Sequence, residues 1–265
     1  VAEASASHPD FLGSVSLSTP LRPFFATVGL ALTLSAAPLS ASSGLVHFRD
    51  QIERGYNARD HAAIETTISA MTTAGEASGQ QDLTAYYTAF ARLRQSAIPG
   101  STTTRARNDL DQCIDTLEPL LRRRKDYVQA RALYASCLGA SASYYVLKAA
   151  TRGIASGREM AAAVKQAPDN PWVVFQDAVS DLLTPALFGG SKERALAKLK
   201  RAQQLFVASR PTGSAEPVFG ESETWLYVGR VYLATGQKAE ARKAWQQALL
   251  LAPESADVQD ELGKL

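Results

Sequence analysis

The stretch "ETWLYVGRVYLATGQKAEARKAWQQALLLAP", residues 223–253, decides the fold. Trp225, Val228, Gly229 and Tyr232 fall on one helical face, and after a break at Gly236 the same holds for Ala241, Trp245 and Ala248. Gly229 and Ala248 are small where two antiparallel helices must approach closely, while Trp225, Tyr232 and Trp245 fill the space on either side. Gly236 takes the positive φ of a helix C-terminal cap at little cost, and Pro253 ends the second helix. One such pair buries too little apolar surface alone, so neighbours must stack on it.

Working outward, the chain from residue 44 onward shows apolar residues three and four apart, with no sustained alternation of the kind that marks strands. The pattern predicts helices over roughly 45–57, 60–73, 81–96, 105–123, 126–150, 156–167, 171–183, 191–207, 222–235, 238–251 and 255–264. The breaks "ASGQQ", "IPGSTTT", "APDNP", "TPALFGG", "SRPTGSAEPVFG" and "APES" hold the Gly, Pro, Asn and Ser that stop or cap helices. Second helices align with one another. Met160, Ala163 and Pro168 repeat the offsets of Trp245, Ala248 and Pro253, and Ala195, Leu199 and Ala202 repeat those of Ala241, Trp245 and Ala248. The steps from Ala163 to Ala202 and from Ala202 to Ala248 are 39 and 46 residues. The excess over a repeat of about 34 belongs to the loops. "TPALFGG" is therefore a lengthened connection, with Ser191 as N-cap of the next helix and Phe188 tucked beneath as an anchor.

The spacing W-x2-V-G-x2-Y followed by A-x3-W and Pro253 resembles the tetratricopeptide repeat, with Val228 for its usual leucine and Trp245 for its usual phenylalanine. Residues 126–265 as a whole resemble exported bacterial tetratricopeptide proteins, through "LYASCLGASASYY", "APDNPWVVFQDAVSDLLTPALFGGSKERALAKLKRAQQLF" and the terminal repeat. The resemblance implies an all-α fold of antiparallel helix pairs stacked as a superhelical solenoid. Residues 44–125 form the N-terminal helical region of the same domain and show helical periodicity only.

The first 43 residues read as a leader. Arg22 precedes the uncharged run "PFFATVGLALTLSAAPLSASS", an order of basic residue, apolar segment and small-residue zone that predicts a secretory signal cleaved near 37–43. The run from Phe24 to Ala37 is shorter than the roughly 20 residues of a spanning helix. An exported, periplasmic protein is the expectation, with no integral span in the mature chain. Export exposes Cys113 and Cys137 to oxidising conditions. On an antiparallel helix hairpin turning near Arg124, a rise of about 1.5 Å per residue sets the two thiols about 3 Å apart in level. A disulfide is permitted, and two small buried thiols are the alternative.

The chemistry the chain lacks narrows its function. A net charge of +2 gives no argument for nucleic acid. "GGSK" at 189–192 lacks the first glycine of a phosphate loop and follows a helix rather than a strand. Three histidines, His8, His47 and His61, with no HExxH and no G-x-S-x-G, leave nothing to build a metal site or a hydrolase triad. No cofactor and no enzymatic activity are expected. "RRRK" at 122–125 complements a helix C-terminus. Tyr86-Tyr87 and Tyr144-Tyr145 each direct one ring to the core, leaving the other for packing or for a groove.

In tetratricopeptide arrays the first helices of successive pairs line a groove that takes a peptide, a partner helix or an apolar ligand. Positions resembling that groove are Glu223, Leu226, Arg230 and Leu233, with Arg230 suited to a carboxylate. Trp172 and Phe175 are candidates for the same lining. The resemblance implies a non-enzymatic scaffold or adaptor for a protein or peptide partner. The alternative is a carrier enclosing a small apolar or anionic ligand.

Overall fold

A computed structural model describes residues 41–209 and 220–265. Almost all of the leader, and residues 210–219 of the long loop, lie outside the described residues, and so does the signal reading placed on residues 1–40. The described residues form eleven α-helices: α1 (Ala41–Asn57), α2 (His61–Ser78), α3 (Gln81–Ser96), α4 (Thr103–Arg123), α5 (Val128–Ala142), α6 (Ala149–Gln166), α7 (Pro171–Leu183), α8 (Lys192–Ala208), α9 (Glu221–Ala234), α10 (Lys238–Leu251) and α11 (Ala256–Gly263). Short 3-10 turns, Val146–Lys148 and Ala186–Phe188, interrupt two of the connections. No strand occurs among the described residues.

Local chemistry sets the helix ends. Asp60, Thr102, Asn170 and Ser191 each accept a backbone N–H three residues on, at 3.0, 3.2, 3.1 and 3.2 Å, satisfying a donor the first turn leaves open. Pro171 follows Asn170 at the first position of α7, where a missing N–H costs nothing. Gly236 closes α9 with φ 81°, as the sequence pattern requires.

Sequential helices pack as antiparallel pairs, α1 with α2 through α9 with α10, and α11 continues the series. The aligned second-helix positions are the ones that pack: Ala163, Ala202 and Ala248 have no exposed surface. The terminal pair approaches closely at Gly229. A Cβ built on Gly229 would lie 2.1 Å from Nε1 of Trp245, whose ring is fully buried and whose N–H donates to the Leu226 carbonyl at 3.0 Å. One apolar core runs without interruption from Leu45 on α1 to Ala244 on α10. Residues 44–125 thus supply two further helix pairs. Cys113 on α4 and Cys137 on α5 are joined by a disulfide, with Cα atoms 6.3 Å apart.

Two expectations need correction. The chain leaves the helix at Ser143, not at 150, and the next helix, α6, begins at Ala149 rather than at 156. Tyr145 causes the break: its backbone is extended, its hydroxyl donates to Asp111, and Arg152 and Arg107 sit 4.1 and 5.0 Å from its ring centre. Gly153 and Gly157 lie inside α6, which therefore starts earlier than the expected 156. Phe188, expected beneath its loop, is 77% exposed. The loop is held by its backbone instead. Pro185 carbonyl accepts from Phe188 and Gly190 at 2.8 and 3.2 Å, and Asp181 carbonyl accepts from Ser191 at 3.0 Å.

Candidate functional site

The odd-numbered helices α1, α3, α5, α7 and α9 lie side by side as an inner layer. The two ends of that layer meet. Tyr56 on α1 donates its hydroxyl to Asp257 on α11 at 2.8 Å, and Arg59 pairs with Asp260. Enclosed by these elements and by α6 is a cavity of about 1300 Å³. That exceeds the roughly 300–1000 Å³ of an ordinary small-molecule pocket. Phe90, Trp172, Phe175 and Tyr227 face it as a run of ring contacts: centroids are 6.2 Å apart for Phe90 and Trp172, 5.4 Å for Trp172 and Phe175, and 5.7 Å for Phe175 and Tyr227. Opposite them α6 presents small residues. A Cβ at Gly153 or Gly157 would meet no atom within 4 Å, so this wall is recessed.

One charged cluster in the cavity lining centres on Arg94. Arg94 on α3 donates to both Glu53 oxygens at 3.0 and 3.1 Å and pairs with Glu223 on α9. Its guanidinium also lies 4.7 Å from the ring centre of Tyr56 and 5.0 Å from that of Phe90. Burial works against the charge on Arg94, but Glu53 and Glu223 outweigh it and raise its pKa. Two carboxyls share one cation, so Glu53 is affected in turn. Burial pushes its pKa up to about 7; Arg94 opposes this, and the neighbouring Glu223 adds to it. Tyr56 is also raised, first by burial.

Of the four groove positions expected from the sequence, Glu223 and Leu226 line the cavity. Leu226 is buried, packed against the Trp245 cluster, and Leu233 is partly buried against that same cluster. Arg230 donates to Glu261 at 2.9 Å and lies 3.7 Å from Asp257, so its charge is met within the chain, and its guanidinium stands 4.9 Å from the Tyr227 ring centre. Trp172, Phe175 and Tyr144 line the cavity; Tyr86 and Tyr87 are both fully buried in the core. The "RRRK" cations Arg123 and Arg124 pair with Asp82 at the start of α3, at 2.9 and 3.1 Å. His61 is matched to Ser101 at 3.0 Å. No group of three or more His, Cys, Asp or Glu with metal-site geometry occurs among the described residues.

Sequence reasoning missed Glu53, Tyr56 and Arg94. All three lie in the region where only periodicity was readable. A signal was present: in "FARLR" Arg94 stands four residues after the buried Phe90 and so shares its face, which puts a cation on the inward side of α3.

Comparison with known proteins follows the same lines. A family model described as tetratricopeptide repeat matches residues 222–255. The crystal structure of a thermophilic TPR protein of Thermus thermophilus superposes with a TM-score of 0.56 at 15% identity, covering 82% of this chain and 97% of that one. The HusA haemophore from Porphyromonas gingivalis gives a TM-score of 0.52 at 23% identity, covering 71% of this chain and 94% of its own. At these identities the likeness is one of fold. No curated protein matches at the sequence level. No helix among the described residues is long and apolar enough to cross a membrane. The chain thus carries a match to the tetratricopeptide repeat at 222–255 and has an all-α fold of sequential antiparallel helix pairs, similar to that of the solved TPR protein.

Proposed function

We propose that the chain is a non-catalytic carrier that encloses a small apolar ligand between its inner helices. The observation that carries this reading is the cavity of about 1300 Å³, walled by aromatic rings on α3, α7 and α9 and by bare glycines on α6. Rings of this kind offer flat, polarisable surface to a planar or chain-like molecule, and the polar groups around Arg94 would orient it. Export to an oxidising compartment, the periplasm for a bacterial protein, is supported by the Cys113–Cys137 disulfide. The haemophore among the fold neighbours makes a tetrapyrrole one reasonable probe.

The test is titration of the purified chain with haemin and with a naphthalene-sulfonate dye, following quenching of tryptophan emission; Trp172 stands in the cavity wall. Gly157→Leu places a side chain in the recess, where nothing else competes for the space. It is expected to weaken binding by at least about tenfold while the helical spectrum is unchanged. Equal binding by the variant would sink the cavity assignment.

The repeat matched at 222–255 favours a second reading, an adaptor for a protein or peptide using Glu223, Leu226, Arg230 and Leu233. A protein partner whose capture survives Gly157→Leu but is lost on Arg230→Gln would support that reading over the carrier.

A further inference from the structure

Around one side of the cavity the apolar lining continues onto the surface. Val146, Ile154, Leu183 and Phe188 all border the cavity, yet they are 93, 73, 68 and 77% exposed. Leu147 and Leu187, beside them on the two 3-10 turns, are 98 and 89% exposed. Six large apolar side chains therefore rim one opening, four of them projecting from turns that interrupt the helical array. Isolated exposed leucines need no explanation, but a contiguous rim of them does.

The shape and charge of the rim select its partner. Side chains that stand this far out offer knobs and no groove, so they suit a medium that closes around them rather than a surface of fixed shape. Beside the rim stand two exposed cations, Lys148 on the first turn and Arg107, whose Nε donates to the Tyr144 carbonyl at 2.9 Å. Neither has a carboxylate partner among the described residues, both instead lying over the Tyr145 ring at 5.6 and 5.0 Å. The nearby carboxylates are already matched: Asp111 with Arg152 at 2.9 Å, Asp181 with Arg194 at 2.6 Å and Lys198 at 2.7 Å. Protruding apolar groups flanked by unmatched cations are the arrangement that binds an anionic lipid surface, the apolar groups entering the acyl boundary and the cations meeting the headgroups.

We infer that this rim docks the protein on an anionic lipid bilayer, so that the mouth of the cavity opens against the membrane. The inference rests on the carrier reading only for its purpose, since ligand would pass between bilayer and cavity without crossing water. Docking itself requires no ligand.

The experiment is co-sedimentation of the full chain with vesicles of phosphatidylcholine alone or of phosphatidylcholine with an equal part of phosphatidylglycerol. Because residues 24–37 are themselves apolar, the comparison is between full-length chains differing only at the rim. The wild type is expected to sediment with the anionic vesicles and to be released by salt. Leu147→Glu with Leu187→Glu, both on exposed turns that the fold does not bury and neither in the cavity lining, is expected to lower vesicle binding by about tenfold or more. Arg107→Gln with Lys148→Gln is expected to cost about fivefold per cation on the anionic vesicles alone. Equal sedimentation of wild type and rim variant overturns the inference. So does a wild-type dimer in solution that the rim substitutions convert to monomer without changing vesicle binding. Titration of the same rim variant with haemin or dye keeps the two readings separate: docking lost with binding retained leaves the carrier intact, whereas docking retained by a chain that binds no probe overturns the carrier and spares the rim.

Discussion

The terminal pair α9 and α10 and the inner helices α1, α3 and α9 beside the cavity are held together by different means. In the terminal pair, shape does the holding: Gly229 is bare because the Trp245 ring occupies the place of its Cβ. Between α1, α3 and α9, charge does it: Arg94 bridges Glu53 and Glu223 across elements 41 and 129 residues apart in sequence. A repeat motif records the first kind of contact because helix pairs need it wherever they occur. It does not record the second, which arises only once when the array brings its two ends together.

Each half of that contrast can be broken separately. Arg94→Ala should have the largest effect. It strands two partly buried carboxylates and removes two ring contacts, and is expected to cost about 3 kcal/mol in urea unfolding, toward the low end for a broken buried pair because water still reaches the groups. An unchanged midpoint would mean that the charged contact does not hold the walls. Next comes Gly229→Ala, expected to destabilise by about 2 kcal/mol: overpacking against a rigid indole outweighs the gain in helix propensity. Its control is Gly153→Ala, where the new methyl meets open space and only propensity acts, so stability should rise by about 0.5–1 kcal/mol. If both glycine variants shift stability in the same direction, close approach is not what distinguishes Gly229.

The smallest effect is a pH dependence confined to the charged wall. The folded chain holds the Glu53 proton more tightly than the unfolded chain does, with a pKa of about 7 against an ordinary 4.5. The stability this contributes is fully present below about pH 4.5 and is lost as pH rises through about 7. Relative to Glu53→Gln, the wild type should therefore lose stability across that window in parallel thermal melts, and Gly229→Ala should not alter the difference. A wild type that gained stability relative to Glu53→Gln over the same window would reverse the sign of the coupling.

What was legible follows the same division. Apolar spacing, Gly236, Pro253 and the caps at Asn170 and Ser191 act within a few residues, so the sequence announces them and the helix pairs follow. The end of α5 was misread because no Gly or Pro stands between 143 and 149 to mark it, whereas the break comes with Tyr145 reaching Asp111 on another helix. Trp172 and Phe175 were candidate lining although the apolar run around them favoured packing, and the structure has them both buried and bordering the cavity. Arg230 looked available for a partner because its neighbours on α9 say nothing of Glu261, which faces it from α11.

By itself, then, the sequence determined that this is an all-α array of tetratricopeptide-like pairs, and which small residues let those pairs close. Only the tertiary structure decided that α1 touches α11, that Glu53, Arg94 and Glu223 meet, and that an aromatic-lined cavity opens through an apolar rim. The physical reason is range. Helix periodicity and capping are fixed by neighbours three or four residues away, whereas a cavity is fixed by the summed small rotations between successive pairs, which no single stretch of the chain contains.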